Sequence, residues 1–510
     1  MDFLQFDSGV WERLLSLMKY DAASPMTLLS GFFLFAFALF WLGYIGLAQR
    51  RNLRTAYVAL VSLYFYYKLS GVYVLLLLFV VLSDYTLGRL VGRCRERGKR
   101  GRGWVALSIT LNVAILAYFK ASGLFADLLE GLYGEGTLNF GAVAVPAGVS
   151  FFVFQSIAYV VDISRGQIRP LRNPVDYLFL LSFFPKMFLG PLVRNSDFIG
   201  QILSDECRLE RADVGRATVL IARGIVKYGV IAKSVGVLFV EPAFDGALGD
   251  SGVVALAAIY GFTLQIYCDF SGYSDVAVGV ALLMGFRLPD NFDAPYKSAT
   301  VTEFWRRWHI SLSSWLRDYL YIPLGGSRRG EWRTYLNLFL TMLLGGLWHG
   351  VSVTFVLWGA FHGVALALHK LWMRMVPGAK ATGAEMRVWW RLPARLFTFH
   401  IVAFGWLLFA AEDVDVVRTM LHNIAYNLSA EDILPTIEQS GVAFALMAVG
   451  YMMHLTSRRF DVGVERVVAR GGVAVSALVV VVAVWLLMQC DAMLSVSMGG
   501  AELLPMYAAF

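Results

Sequence analysis

The chain has 510 residues, of which 58% are apolar and 16% charged, with a mean hydropathy of +0.61. Soluble globular chains carry roughly a quarter charged residues, so these proportions exclude a soluble enzyme and a disordered protein. A net charge of +7 and a pI near 9.1 fit Lys and Arg gathered in the cytoplasmic loops of a membrane protein, not a nucleic-acid surface.

A spanning helix needs ~20 apolar residues, so this length holds on the order of ten spans. The start, MDFLQFDSGVWERLL, lacks the basic region of a cleavable signal. The first long apolar run, residues 26–47, is long enough to stay as a span, and residues 1–27 are predicted extracytoplasmic. QRRNLR (49–54) and RLVGRCRERGKRGRG (89–103) are predicted cytoplasmic, which puts the N-terminus outside. The runs between them, 57–67 and 72–82, are each too short to cross alone. They read as a hairpin dipping into the bilayer or as two strained spans.

Residues 104–122 then cross outward and 143–163 return to the basic RGQIRPLR (165–172). Further apolar runs occupy 177–192, 217–240 and 253–286. The polar CDFSGYSD (268–275) interrupts the last, so a broken span is predicted there. Asp269 and Asp275, flanking Gly272, are expected to cap helix ends or hold a polar network near a tunnel, in a structural role. Residues 28–290 form the N-terminal and central membrane helices.

Residues 373–490 form the C-terminal membrane helices. A basic linker (370–395) leads to a span at 394–411 and an acidic loop at 412–440 whose one Arg is Arg418. Residues 441–456 return to Arg458, Arg459, Arg466 and Arg470, and 472–490 cross out again. The tail, 491–510, is predicted extracytoplasmic. Cys94, Cys207, Cys268 and Cys490 lie far apart with no CxxC, so neither a metal site nor a disulfide framework is expected. The halves show no internal repeat, which weighs against a transporter built from repeats.

The chemistry concentrates in residues 291–372, read as a catalytic core. In VTEFWRRWHISLSSWLRDYLYIPLGGSRRG (301–330), Trp305, Trp308, Leu312, Trp315, Leu316 and Tyr319 recur at helical spacing. Arg306, Ser313, Arg317 and Asp318 lie largely elsewhere, which suits an interfacial helix ended by Pro323 and Gly325–Gly326. His309 falls on its aromatic side and points into protein or lipid. The run 335–372 is nearly twice a span, with Gly345, Gly346 and Gly350 marking a break and Trp348–His349 at the breakpoint. Both flanks are basic, so His349 sits at the inner tip of a hairpin. Irregular backbone at that depth lines a cavity or is buried in protein, and a His there is a functional candidate. His362 and His369 read instead as structural histidines bonded to carbonyls, with His362 roughly 20 Å from His349 if helical. His400, His422 and His454 carry no signal.

Four stretches resemble the membrane-bound O-acyltransferase family, in its bacterial branch. They are FFPKMFLGPLVRNSDF (183–198), QIYCDFSGYSDVAVGVALLMGF (265–286), NFDAPYKSATVTEFWRRWHISLSSWLRDYLYIPLGG (291–326) and GGLWHGVSVTFVLWGAFHG (345–363). The resemblance implies an all-α polytopic fold, a ring of about ten or eleven transmembrane helices with interfacial and re-entrant helices around a tunnel. It implies His349 as the essential residue and His309 as the secondary site position. The chemistry implied is transfer of an acyl group, most readily acetyl, from a cytoplasmic thioester to a hydroxyl.

Neutral imidazole, with an ordinary pKa of ~6.5, suits the removal of the hydroxyl proton, and His309 or nearby backbone donors would orient the thioester carbonyl. Acetyl-CoA is the expected donor, with Arg306, Arg307, Arg328 and Arg329 as candidates for its phosphates or as residues that simply follow the positive-inside rule. Trp348 and Arg317 join Asp269 and Asp275 as tunnel or structural polar positions. The tail ends ELLPMYAAF, and Tyr507 is either an acyl carrier or an interfacial anchor. The expected partners are the lipid bilayer of the bacterial inner membrane, a periplasmic serine-type acetyltransferase and an exported or cell-surface polysaccharide, with no nucleic acid. The competing readings are a multi-pass transporter and an acyltransferase acting on a lipid or protein.

Overall fold

A computed structural model of the chain describes residues 16–22, 24–133, 144–205, 209–376, 379 and 382–497. Every regular element among the described residues is helical. A bilayer offers the backbone no water, and a helix satisfies its polar groups internally. Among the described residues, six helical stretches are long and apolar enough to cross a membrane: Arg51–Glu96, Arg102–Gly123, Gly252–Leu283, Val353–Met375, Val388–Ala410 and Arg458–Ser495. The pair Ala430–Gln439 and Gly441–Leu455 is bent by 95° and forms either a broken span or a re-entrant loop. The further crossings expected from the sequence fall on shorter or more polar helices, such as Gly31–Leu47, Val149–Arg165 and Glu331–His349. Tyr507, the tail from residue 498 and residues 1–15 lie outside the described residues.

The chain divides into two units, residues 1–188 with 193–208, and residues 189–192 with 209–510. In the first, the run 57–67 is the middle of the helix Arg51–Ser70, and the run 72–82 starts in a 3-10 turn and continues as the first part of the helix Val74–Glu96. The buried Arg54 and Lys68 of the first helix each find a partner. Arg54 donates to the carbonyls of Ala48 and Ser204 at 3.0 and 2.8 Å, and Lys68 donates to that of Leu17 at 2.8 Å. Gly71, at φ +58°, makes the turn beneath the Tyr20 ring, where a Cβ would come within 2.7 Å. Asp84, wholly buried, ties three helices together by accepting from Ser108 (2.5 Å), Asn112 (2.6 Å) and Ser156 (2.5 Å).

In the second unit, the helix Gly252–Leu283 runs unbroken for 32 residues through CDFSGYSD, contrary to the expected break. Its polar side chains are answered from the neighbouring segment. Arg223 grips Asp275 with two bonds, at 2.9 and 3.1 Å, while Lys227 pairs with Asp275 at 2.6 Å and donates to Ser271 at 2.9 Å. Asp275 therefore pairs across helices and caps nothing, and Asp269 is buried on the same helix. Gly224 and Gly272 bring the two backbones together, since a Cβ on either would meet the other's carbonyl oxygen at 2.5 to 2.9 Å.

Candidate functional site

His349 is the last residue of the helix Glu331–His349, and the chain turns at Gly350 before Ser352 caps the helix Val353–Met375. The break falls where the sequence places it. Its cause is more specific than helix-breaking glycine, because Gly345 and Gly346 lie inside the first helix. Gly346 and Gly359 instead let the two arms of the hairpin touch. A Cβ on Gly346 would stand 2.3 Å from the Phe355 carbonyl oxygen, and one on Gly359 would stand 2.7 Å from that of Met342. The close arms press the His349 ring among aromatics. Its centroid lies 4.5 Å from Trp348, 5.0 Å from Phe409 and 5.3 Å from Trp358. His349 is 5% exposed.

His309 arises differently from expectation. The predicted single helix is two, Val301–Arg307 and Ile310–Leu316, followed by a π-helical turn, Arg317–Tyr321. His309 stands between them at φ 41° and ψ 56°, a left-handed conformation uncommon for a residue with a Cβ. Asn291 holds it there. Its carbonyl accepts from the Ile310 N–H at 2.9 Å, and its Oδ1 accepts from the Ser311 N–H (3.2 Å) and Oγ (2.8 Å). The same Oδ1 lies 3.1 Å from His309 Nδ1, while Nδ2 donates to Ser274 Oγ at 3.3 Å.

An oxygen accepting from these donors fixes the His309 proton on Nδ1, which makes Nε2 the basic nitrogen. Burial pushes the imidazole down to about 3, so it is neutral at any physiological pH. In this tautomer Nε2 carries a lone pair and no proton, so it can accept but not donate. Phe270 packs edge-on at 4.6 Å, and one aromatic block links the two histidines: Trp308 contacts Trp406 at 4.7 Å, Trp406 contacts Trp358 at 6.1 Å, and Trp358 contacts His349.

Asn291 also faces a cavity of about 500 Å³. Its wall carries Arg216, Arg223, Lys227, Lys297, Arg307 and Arg458 against Asp275, Asp290, Asp293, Asp461 and Glu465. Most of these charges are already paired: Arg216 with Asp290 (2.9 Å), Arg223 and Lys227 with Asp275, and Arg307 with Glu303 (2.9 Å) and Asp293 (3.5 Å). Lys297 donates to the Thr456 carbonyl at 2.6 Å, and burial lowers its pKa. Neither Lys297 nor Arg458 has a carboxylate partner among the described residues. Of the four arginines singled out in the sequence, Arg307 alone lines this cavity; Arg306, Arg328 and Arg329 do not. Arg317 pairs with its neighbour Asp318 at 2.8 Å and is half exposed.

Three other histidines are placed by the structure. The Nδ1 of His369 meets the Thr302 hydroxyl at 2.7 Å, where a carbonyl partner was expected. His362 is wholly buried, and neither ring nitrogen has a hydrogen-bond partner among the described residues. Trp305 at 5.2 Å and Trp358 at 5.1 Å enclose it. Because Trp358 touches both imidazoles, His362 is much nearer to His349 than a continuous helix would place it. His454, which carries no sequence signal, lines the charged cavity, accepts from the Tyr296 N–H at 3.2 Å and packs edge-on against Tyr267 at 4.6 Å. No local motif announces it, since its partners lie more than 150 residues away.

A helical membrane protein with a buried imidazole at a hairpin tip, joined by an aromatic block to the His309 turn that Asn291 holds at a charged cavity, has the makings of an intramembrane transferase. The chain belongs to the membrane-bound O-acyltransferase family, whose description matches residues 16–409. It is 39% identical over 405 residues to the "Probable alginate O-acetylase AlgI" of Pseudomonas putida, covering 78% of this chain and 79% of that protein. It is 31% identical over 421 residues to the peptidoglycan O-acetyltransferase of Helicobacter pylori, covering 76% and 78%. To the teichoic acid D-alanyltransferase of Bacillus subtilis it is 27% identical over 279 residues, covering 52% and 68%. The protein is an O-acyltransferase of the membrane.

Proposed function

We propose that the chain takes an acetyl group from acetyl-CoA at the cytoplasmic face of the bacterial inner membrane and passes it to a hydroxyl of an exported or cell-surface polysaccharide. The names of the alginate and peptidoglycan relatives support the acceptor class. One observation carries the site. Asn291 forms part of the charged cavity wall and, through the same side chain, holds His309 in the aromatic block shared with His349. Lys297 and Arg458 supply positive charge without a carboxylate partner, as the phosphates of a coenzyme thioester require.

His349 takes the hydroxyl proton while the alcohol oxygen bonds the acyl carbon. The C–S bond then breaks, and the proton passes to the departing thiolate. General-base help of this kind is worth about 10²–10⁴ in rate; positioning and stabilisation of the oxyanion supply the rest. An extracytoplasmic partner with a serine nucleophile completes delivery, with Tyr507 as a relay for the acyl group. Both termini lie outside in this arrangement, as the positive-inside pattern supports.

Replacing His349 by Ala in cells tests the reading, with O-acetyl groups on surface glycans measured by mass spectrometry. Acetylation is expected to fall at least about 100-fold with protein levels unchanged, and retained acetylation overturns the proposal. Lys297→Gln and Arg458→Gln, assayed in membranes, are expected to raise KM for acetyl-CoA with little change in kcat. In Tyr507→Phe, undiminished acetylation removes the relay.

A further inference from the structure

The turn joining the helices Val74–Glu96 and Arg102–Tyr133 contributes no residue to the lining of the charged cavity described above. Arg97 closes the first helix, and Gly98 and Gly101, at φ +72° and +61°, reverse the chain. The Lys99 N–H returns to the Cys94 carbonyl at 2.9 Å, and Ser164 Oγ donates to the Arg100 carbonyl at 2.7 Å. These bonds fix the backbone around a concavity of about 630 Å³ lined by Cys94, Lys99, Arg100, Arg102, Trp104 and Leu107, with Gly101 and Gly103.

The cations here divide into two kinds. Arg89 donates to the Arg172 carbonyl and Arg95 to that of Ser164, both at 3.3 Å, so these arginines bind the unit to itself. Lys99, Arg100 and Arg102 have neither an ion pair nor a side-chain hydrogen bond among the described residues, and no carboxylate lines the concavity. One turn further along, Trp104 and Leu107 are 41% and 42% exposed at the start of a candidate span, Arg102–Gly123. The site therefore presents three uncommitted cations at one end and exposed apolar surface at the other. Tryptophan marks the water–bilayer boundary, and basic pockets on the cytoplasmic side suit anionic head groups.

We propose that this turn binds the head group of an anionic glycerophospholipid of the cytoplasmic leaflet, its phosphate on Lys99, Arg100 and Arg102 and its acyl chains along Trp104 and Leu107. Phosphate alone matches the cations, but only a lipid matches the apolar half as well.

The test uses the full chain, purified and delipidated in a neutral detergent, with bound lipid counted by native mass spectrometry during titration with phosphatidylglycerol or phosphatidylcholine. The wild type is expected to favour phosphatidylglycerol by about tenfold or more. K99Q/R100Q/R102Q is expected to lose that preference while K99R/R100K/R102K and the distant R466Q/R470Q keep it. Equal binding of the two lipids by the wild type overturns the proposal, as does an unchanged preference in the Gln variant. An equal loss in R466Q/R470Q shows a general charge effect and also overturns it. If glycerol 3-phosphate or coenzyme A displaces phosphatidylglycerol as well as the lipid itself does, the site is one for free phosphate; this arm needs no variant to fold.

Discussion

Asn291 Oδ1 lies 3.1 Å from His309 Nδ1 and accepts the Ser311 hydroxyl at 2.8 Å, so one amide oxygen sets both the tautomer and the unusual backbone of the residue it holds. Asn291→Ala leaves His309 without this anchor, and a displacement of about 1 Å costs about 10²-fold in rate. The expected loss is of that order in kcat at saturating donor, with the protein still folded. Asn291→Asp keeps an acceptor oxygen facing Nδ1 and is expected to recover most of the activity. If the Asp variant proves as inactive as Ala, the acceptor role is wrong.

Burial holds His309 neutral, with a pKa of about 3 in the folded protein against ~6.5 when unfolded. Between those values the unfolded chain binds the proton and the folded chain does not, so stability from this group is lost as pH falls below ~6.5 and is fully present above it. At pH 4.5 the loss is roughly 2–3 kcal/mol. Melting curves in detergent between pH 4 and 8 are expected to show a shallower acid slope for His309→Asn than for the wild type. Equal slopes would place the imidazole in contact with water.

The arms of the His349 hairpin depend on glycine. Gly346→Ala puts a Cβ 2.3 Å from a backbone oxygen of the facing arm, which the backbone relieves only by moving. Overpacking of this kind costs about 1–3 kcal/mol, and the separation of the arms also displaces His349. Lower thermal stability together with sharply reduced transfer is expected. Gly463→Ala, where a Cβ meets nothing within 4 Å, is the matched control, and a similar loss there would remove the argument.

His362 sits fully buried in an aromatic box without a hydrogen-bond partner among the described residues. Replacing a partnerless polar ring by an apolar ring of similar shape removes a desolvation cost of about 1–3 kcal/mol. His362→Phe is therefore expected to melt at the same temperature or higher and to keep its transfer rate within a few-fold. Loss of transfer at unchanged stability would instead assign His362 to the chemistry.

The sequence by itself determined the membrane class, the hairpin break beside His349 and the blocks that mark the family. Each is written in runs of neighbouring residues: spanning-length apolar stretches, glycines at a helix end, and RWH and LWHG as contiguous words. Only the tertiary structure decided how the polar residues are paired. Asp275 looked like a break in a span because its partners Arg223 and Lys227 lie about fifty residues upstream. His309 looked like one more position on an amphipathic helix until the Asn291 backbone and side chain bent the chain around it. His454 gave no sign at all, since its bond to Tyr296 and its place in the cavity wall join segments 158 residues apart. Hydropathy records which solvent a residue meets, whereas a hydrogen bond or ion pair in a low-dielectric interior depends on distances of about 3 Å that no local pattern encodes.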